Sequence, residues 1–129
     1  MKTLIYIGGI YHIGFAVFHI FFWKLFDWKR DLSSLTFINR NVMQILNLRL
    51  IFAGLIVAYI SFFHAGDLLT SGIGKVLLIA IALFWFGRAI EQIIFFGLRN
   101  KISNAMFALF LLGAVIYCYP FLRVTGVMN

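Results

Sequence analysis

Apolar residues dominate four long segments of the chain, and polar residues concentrate in the short stretches between them. A run of about 18 or more apolar residues is long enough to cross a bilayer core of about 30 Å as a helix. A backbone surrounded by lipid must satisfy its hydrogen bonds internally, which excludes isolated strands. The pattern therefore predicts four transmembrane helices, at about residues 4–26, 41–64, 75–98 and 104–122.

The connections between these segments are short, and short connections join neighbouring antiparallel helices. We therefore predict an all-α fold, a four-helix antiparallel bundle that forms a single integral membrane domain over residues 1–129. Small residues let helix backbones approach each other in lipid, so Gly8, Gly14 and Gly54 are expected at helix contacts.

The longest connection, residues 27–40, has the features of a membrane interface. Trp28 and Phe37 are aromatic residues of the kind that lie at headgroup level. Apolar residues recur there at helical spacing, so part of the connection is expected to lie flat on the membrane. Thr36 or Asn39 can cap the second helix, because their side chains accept hydrogen bonds from free backbone N–H groups.

Composition excludes a soluble protein, since the chain is 64% hydrophobic and only 12% charged, against about 25% charged for a soluble domain. The net charge of +7 does not form a basic stripe away from the membrane, so a nucleic-acid partner is excluded. The single cysteine, Cys118, cannot form a disulfide within the chain and is expected to pack in the last helix.

The basic residues outside the helix centres predict an orientation. Cytoplasmic loops are enriched in Lys and Arg, and the bias here is six residues in the first and third connections against three on the other side. We therefore expect a multi-pass protein of the cytoplasmic (inner) membrane with both termini outside. The six residues are Lys24, Lys29, Arg30, Arg40, Arg99 and Lys101, and the three are Lys2, Lys75 and Arg123.

Six polar residues from three predicted helices fall at one depth, in the cytoplasmic half of the membrane. Counting about 1.5 Å per residue places all of them about 20–25 Å from the outer boundary. A charge in hydrocarbon costs about 2.5–3.5 kcal/mol on insertion scales, so these side chains are expected to face one another. The six candidate ligand-binding residues are His19, Gln44, Asn47, Arg88, Glu91 and Gln92.

Arg88 and Glu91 are three residues apart, so they can partly neutralise each other on one helix face. Two interpretations of the layer stay open. It can be structural, because interhelical polar contacts fix helix register. It can also be a binding or reaction site that opens towards the inner leaflet, in which the protonation of His19 is tuned by the nearby charges.

The histidines do not form a convincing metal or haem site. His12 and His19 share a helix face but lie about 10 Å apart along the axis, too far for one metal ion. His12 and His64 are the remaining candidates, on different helices as a bis-histidine haem requires, but their predicted depths differ by about 10 Å. We therefore expect no metal or haem.

The length, the four helices and the glycine-rich first segment "YIGGIYHIGFAVFHIFFWKLF" resemble the DoxX-like group of small bacterial membrane proteins. The resemblance covers the whole chain in architecture, but no active-site residue of that group maps onto "NRNVMQILNLR" or "FGRAIEQIIFFG". Some DoxX-like proteins are small subunits of quinone-dependent redox systems, and the resemblance implies a related role. The chain lacks the redox-active cysteine pair that would strengthen this implication.

Three functions fit the sequence. The first is a small binding or accessory protein whose inner-leaflet pocket holds the polar head of a lipid-like or quinone-like molecule. The second is a membrane redox enzyme subunit with His19 and Glu91 as an acid–base pair, and the third is a small proton-coupled transporter. Membrane lipids are expected partners, together with a homo-oligomer or a larger membrane complex.

Overall fold

The structure is a computed structural model that describes residues 1–128. The described chain is helical and contains no strand, so the prediction of an all-α protein is confirmed. A 3₁₀ turn, Leu32–Ser34, lies between α3 and α4. The helices are α1 (Lys2–Ile20), α2 (Phe22–Leu25), α3 (Trp28–Asp31), α4 (Phe37–Phe63), α5 (Ala65–Thr70), α6 (Gly72–Phe96) and α7 (Lys101–Val124).

Four of these helices, α1, α4, α6 and α7, are long and apolar enough to cross a membrane. Between 28% and 33% of the most apolar part of each is buried inside the protein, so most of their side chains face outward. Large apolar side chains such as Phe95 and Ile102 are more than three-quarters exposed. An apolar surface of this extent fits a lipid environment, and the structure supports a multi-pass membrane protein.

The first membrane helix is shorter than the apolar pattern predicts. The pattern extends to residue 26, but α1 ends at Ile20 and two single-turn helices follow it. Asp27 adopts a left-handed backbone conformation between them, with φ of 49°. Asp is one of the few residues that enters this conformation readily, and it redirects the chain between α2 and α3. Hydropathy alone does not detect the end of α1, because the apolar run continues past Ile20 through Phe21, Phe22 and Trp23.

Capping residues explain where the other long helices begin. The backbone N–H of Asn39 donates to Thr36 Oγ1 at 3.4 Å, so the predicted cap of α4 at Thr36 is confirmed. Ser71 accepts from the backbone N–H of Gly74 at the start of α6, and Asn100 accepts from that of Ser103 at the start of α7. Each cap satisfies one of the free N–H groups that every helix start leaves.

Contacts divide the chain into two compact units, and each boundary falls inside a helix. The α1–α4 unit comprises residues 9–60. In it the later part of α1 packs antiparallel to α4, since His19 contacts Asn47 whereas the earlier residue His12 lies near the later residue Gly54. A Cβ added to Gly54 would lie 3.1 Å from the Phe15 ring, so the two backbones approach closely there.

The α6–α7 unit comprises residues 1–8 and those from Ser61 onward. Helices α6 and α7 form an antiparallel pair, joined by a short connection that follows Gly97. Gly97 has φ of 68° and ends α6, a position where glycine avoids the steric cost of a side chain. Helix α5 packs against the start of α6 so closely that a Cβ on Gly74 would overlap the backbone of Asp67 and Leu68.

Candidate functional site

Arg88 is the charged residue whose environment is most specific. It lies within the span α6 and is half-buried. One guanidinium nitrogen donates to Gln92 Oε1 at 3.1 Å, one helical turn further along. The guanidinium carbon lies 4.4 Å from the centre of the Phe110 ring on α7, which is a cation–π contact. These two neighbours orient Arg88, and the Glu91 carboxylate acts on its charge electrostatically without a direct ion pair.

Gln92 connects Arg88 to the opposite helix. Its amide oxygen accepts from Arg88, and its amide nitrogen donates to Ser103 Oγ on α7 at 2.9 Å. The Ser103 hydroxyl in turn donates to the backbone carbonyl of Gly97, at the end of α6. Both Gln92 and Ser103 are buried, so this chain of hydrogen bonds is shielded from solvent. It ties the end of α6 to the start of α7 and holds the Arg88 side chain in one direction.

Glu91 interacts with Arg88 electrostatically, as the spacing suggests, but the two side chains form no direct ion pair. None of the ion pairs among residues 1–128 joins these two side chains, and Glu91 is exposed. The reason is rotational, because residues three apart differ by about 60° around a helix. Arg88 turns towards Gln92 and α7, whereas Glu91 projects from the neighbouring exposed face.

His19 and Asn47 form a closed pair in the α1–α4 unit. The Asn47 amide nitrogen donates to the His19 backbone carbonyl at 2.9 Å, and its oxygen lies 2.7 Å from His19 Nδ1. A carbonyl can only accept, which fixes the orientation of the Asn47 amide. Its oxygen therefore faces the ring, and His19 Nδ1 must carry a hydrogen. The pair also caps α1, since His19 is among the last four residues, whose carbonyls have no partner within the helix.

Aromatic rings enclose the His19 side chain, which is only 8% exposed. Phe22 stacks on the imidazole at a centroid distance of 4.1 Å, and Phe15 lies at 4.2 Å. Phe18 meets it edge-on at 5.8 Å. The imidazole is held between two phenyl rings and the Asn47 amide, so it cannot reorient freely. This environment fits a structural histidine at the end of a helix.

Gln44 has a different partner from those expected. The indole nitrogen of Trp23 donates to Gln44 Oε1 at 3.1 Å, and the Gln44 amide nitrogen donates to the backbone carbonyl of Arg40 at 3.2 Å. Trp23 lies on α2, the short helix after the end of α1, and its ring meets Trp28 edge-on at 5.1 Å. Gln44 thus anchors the connection between α1 and α4 to the first turns of α4.

A third polar junction lies at the other end of the spans, inside the α6–α7 unit. Ser61 Oγ and the Tyr117 hydroxyl are 2.8 Å apart, and both residues are fully buried. The Tyr117 ring passes directly over Gly8. The N-terminal turns of α1, the end of α4 and the later part of α7 therefore meet on the same side.

The metal candidates His12 and His64 have other surroundings. His64 Nδ1 lies 2.9 Å from Asp67 Oδ2, in an exposed pair at the start of α5. His12 is buried, with the Tyr11 ring edge-on at 5.5 Å. Within residues 1–128, no group of three His, Cys, Asp or Glu side chains is arranged to hold a metal ion.

The structure joins the six predicted residues in two separate sets of contacts, one inside each unit. His19 pairs with Asn47, and Arg88 pairs with Gln92, whereas Gln44 and Glu91 make neither of these contacts. Sequence reasoning missed the role of Ser103 and Phe110. Ser103 was detectable in principle, because it lies near the start of the last helix and Gln92 lies in the last turns of the previous one.

Comparisons with protein-family models, with curated proteins and with solved structures found no match. The functional conclusion therefore rests on the geometry of the residues described above.

Proposed function

We propose that this protein is a small, multi-pass binding or accessory protein of the cytoplasmic membrane that holds the polar head of a lipid-like molecule at Arg88. The observation that carries the proposal is the environment of the charged Arg88 guanidinium. It lies inside a membrane span, and its side-chain partners are a neutral amide and an aromatic ring. Intramembrane ionisable residues are rare and mark functional sites by default.

The chemistry of guanidinium defines the ligand class. Arg carries five N–H donors in a fixed planar fork and no acceptor. Gln92 takes a hydrogen bond from one of its nitrogens, and Phe110 covers one face of the plane. The ligand that matches the remaining donors is a head group rich in acceptor oxygens. A phospholipid phosphate and a quinone carbonyl share this chemistry, and both are attached to an apolar tail that suits the exposed apolar surface.

Two other residues have supporting roles in the proposal. Gln92 is a positioning residue, because its bond to Ser103 fixes the amide that orients Arg88. Glu91 lies on the neighbouring helix face, where its negative charge partly offsets that of Arg88 without a direct bond to the guanidinium. The internal hydrogen bonds of His19, Gln44 and Asn47 support structural roles for them, so the proposal rests on Arg88.

Charge distribution supports the orientation. The connections from α1 to α4 and from α6 to α7, together with the first turns of α4 and α7, hold six basic residues, against three on the opposite side. Under the positive-inside rule these connections are cytoplasmic, and both termini are outside. Arg88 is eight residues from the end of α6, about 12 Å from the cytoplasmic end of that helix. The proposed head group then lies in the inner leaflet.

Native mass spectrometry of the full-length protein in mild detergent tests the proposal, combined with phosphorus analysis and an ultraviolet spectrum of extracted lipid. We expect the wild type to retain one apolar molecule per chain and Arg88→Met to lose it. Arg49→Met is the matched control, since Arg49 is exposed on α4 over the Phe52 ring. Phosphorus identifies a phospholipid, and an aromatic carbonyl absorption identifies a quinone.

The proposal fails if the wild type retains nothing, or if Arg88→Met retains the same molecule at the same occupancy. Thermal unfolding of each variant, followed by tryptophan fluorescence, shows whether lost binding reflects lost structure. Arg88→Lys is a second variant that keeps the charge but removes the fork. We expect it to fold as the wild type does and to bind more weakly, because Lys presents a point charge.

A further inference from the structure

The connection between α1 and α4 has more positive charge than its own acidic groups neutralise. We call residues 21–40 the interfacial segment. Its two acidic residues, Asp27 and Asp31, both lie beside Arg30, whose Nε is 3.3 Å and 3.7 Å from their carboxylate oxygens. The ion pairs of the described chain include no other basic residue of the segment. Three cations therefore remain for an external anion, namely Lys24, Lys29 and Arg40.

Arg40 is the most constrained of these cations. It is half-buried, and its Nε is enclosed without a hydrogen-bond partner. Among residues 1–128, no hydrogen bond or ion pair involves the Arg40 guanidinium. A buried N–H without an acceptor costs about 1–3 kcal/mol and calls for an explanation. The Arg40 backbone, in contrast, is fixed, since its carbonyl accepts from Gln44, which Trp23 holds in turn.

The length of α4 places Arg40 at headgroup depth. Its 27 residues extend about 40 Å, longer than a hydrocarbon core of about 30 Å. Arg40 lies in the first turn, so it falls outside the hydrocarbon at that end. Phe37 and Ile38 beside it are more than 70% exposed, and Phe21, Leu25 and Phe26 are about half exposed. Exposed apolar side chains next to unpaired cations are typical of a segment in the plane of the interface.

From this combination we propose that the interfacial segment binds the phosphate of anionic phospholipids, with Arg40 as the central contact and Lys24 and Lys29 as the outer cations. The guanidinium supplies a fork that matches phosphate oxygens. The tryptophan pair and Gln44 hold the segment against α4, so that the guanidinium is positioned before the lipid arrives. This site shares no residue with the Arg88 site, and it selects the charge of the headgroup.

The test is native mass spectrometry of the full-length protein with an equimolar mixture of phosphatidylglycerol and phosphatidylcholine. We expect the wild type to bind more phosphatidylglycerol, and Arg40→Gln to reduce that preference about fivefold, the effect of about one basic residue near an anionic surface. Lys75→Gln removes a partly exposed cation at the start of α6 and should leave the preference unchanged. Equal preference in wild type and Arg40→Gln, or no preference in the wild type, overturns the proposal.

A second variant distinguishes a loss of lipid selectivity from a folding defect. Lys24 and Lys29 are exposed and make no ion pair among the described residues, so the double variant Lys24→Gln/Lys29→Gln should fold normally. It should also lower the preference for phosphatidylglycerol. An unchanged preference would mean that other residues select the lipid, and it would contradict the proposal. Arg88→Met separates the two sites, because it should lose the co-purified molecule and keep the phosphatidylglycerol preference.

Discussion

At the scale of single residues, the contact between Gly8 and Tyr117 is close enough for a side-chain substitution to probe. A Cβ on Gly8 would lie 2.5 Å from the Tyr117 hydroxyl oxygen and 2.6 Å from the ring carbon that bears it. The tyrosine cannot move aside easily, since it is fully buried and bonded to Ser61. We expect Gly8→Ala to destabilise the protein by about 1–3 kcal/mol, the usual effect of overpacking. Thermal unfolding in detergent measures this change.

Gly14 provides the control for that experiment. An added Cβ there meets no atom within 4 Å, and Gly14 lies in the same helix as Gly8. Gly14→Ala should therefore be neutral or stabilising, by up to about 1 kcal/mol, because alanine favours a helix more than glycine does. Equal melting temperatures for the two variants would contradict the described contact. The sequence predicts that small residues lie at helix contacts, but it does not distinguish the packed Gly8 from the open Gly14, since both lie in one apolar run.

At the scale of secondary-structure elements, Asn47 determines where α1 can end. It supplies the donor for the His19 carbonyl and the acceptor for His19 Nδ1. Asn47→Leu keeps the volume but removes both of these buried hydrogen bonds, so we expect a loss of about 1–3 kcal/mol. Amide hydrogen exchange of residues 20–26 should become faster in this variant. Asn39→Leu, an exposed position in the same helix, should leave both measurements unchanged.

If Asn47→Leu left exchange at residues 20–26 unaltered, the asparagine would not be the cap of α1. Counting residues along the predicted helices places His19 and Asn47 at equal depth, and the structure pairs them. Depth carries no information on rotation about each helix axis. For that reason the partner of Gln44, which is Trp23, was not predictable.

At the scale of the whole molecule, hydrophobic pattern alone is enough to predict the four long helices, since bilayer thickness requires apolar runs of that length. The α2–α3 segment was predictable only in part. Its aromatic and basic residues indicate an interface. The break after Ile20, however, depends on the Asn47 cap, which lies far along the chain, and the turn between α2 and α3 depends on the left-handed Asp27. Contacts of this kind are set by tertiary structure rather than by local composition.

The orientation of the protein in the membrane decides which leaflet each of the two proposed binding sites faces. In a Cys118→Ser background, Thr70→Cys should react with a membrane-impermeant maleimide on intact cells, since α5 lies on the side with few basic residues. Ser33→Cys, exposed in the interfacial segment, should react only after permeabilisation. The physical reason is the difference of six basic residues against three, because cytoplasmic loops retain Lys and Arg. The reverse labelling pattern would place Arg40 among outer-leaflet headgroups, and the anionic lipid that it selects would then have to come from that leaflet.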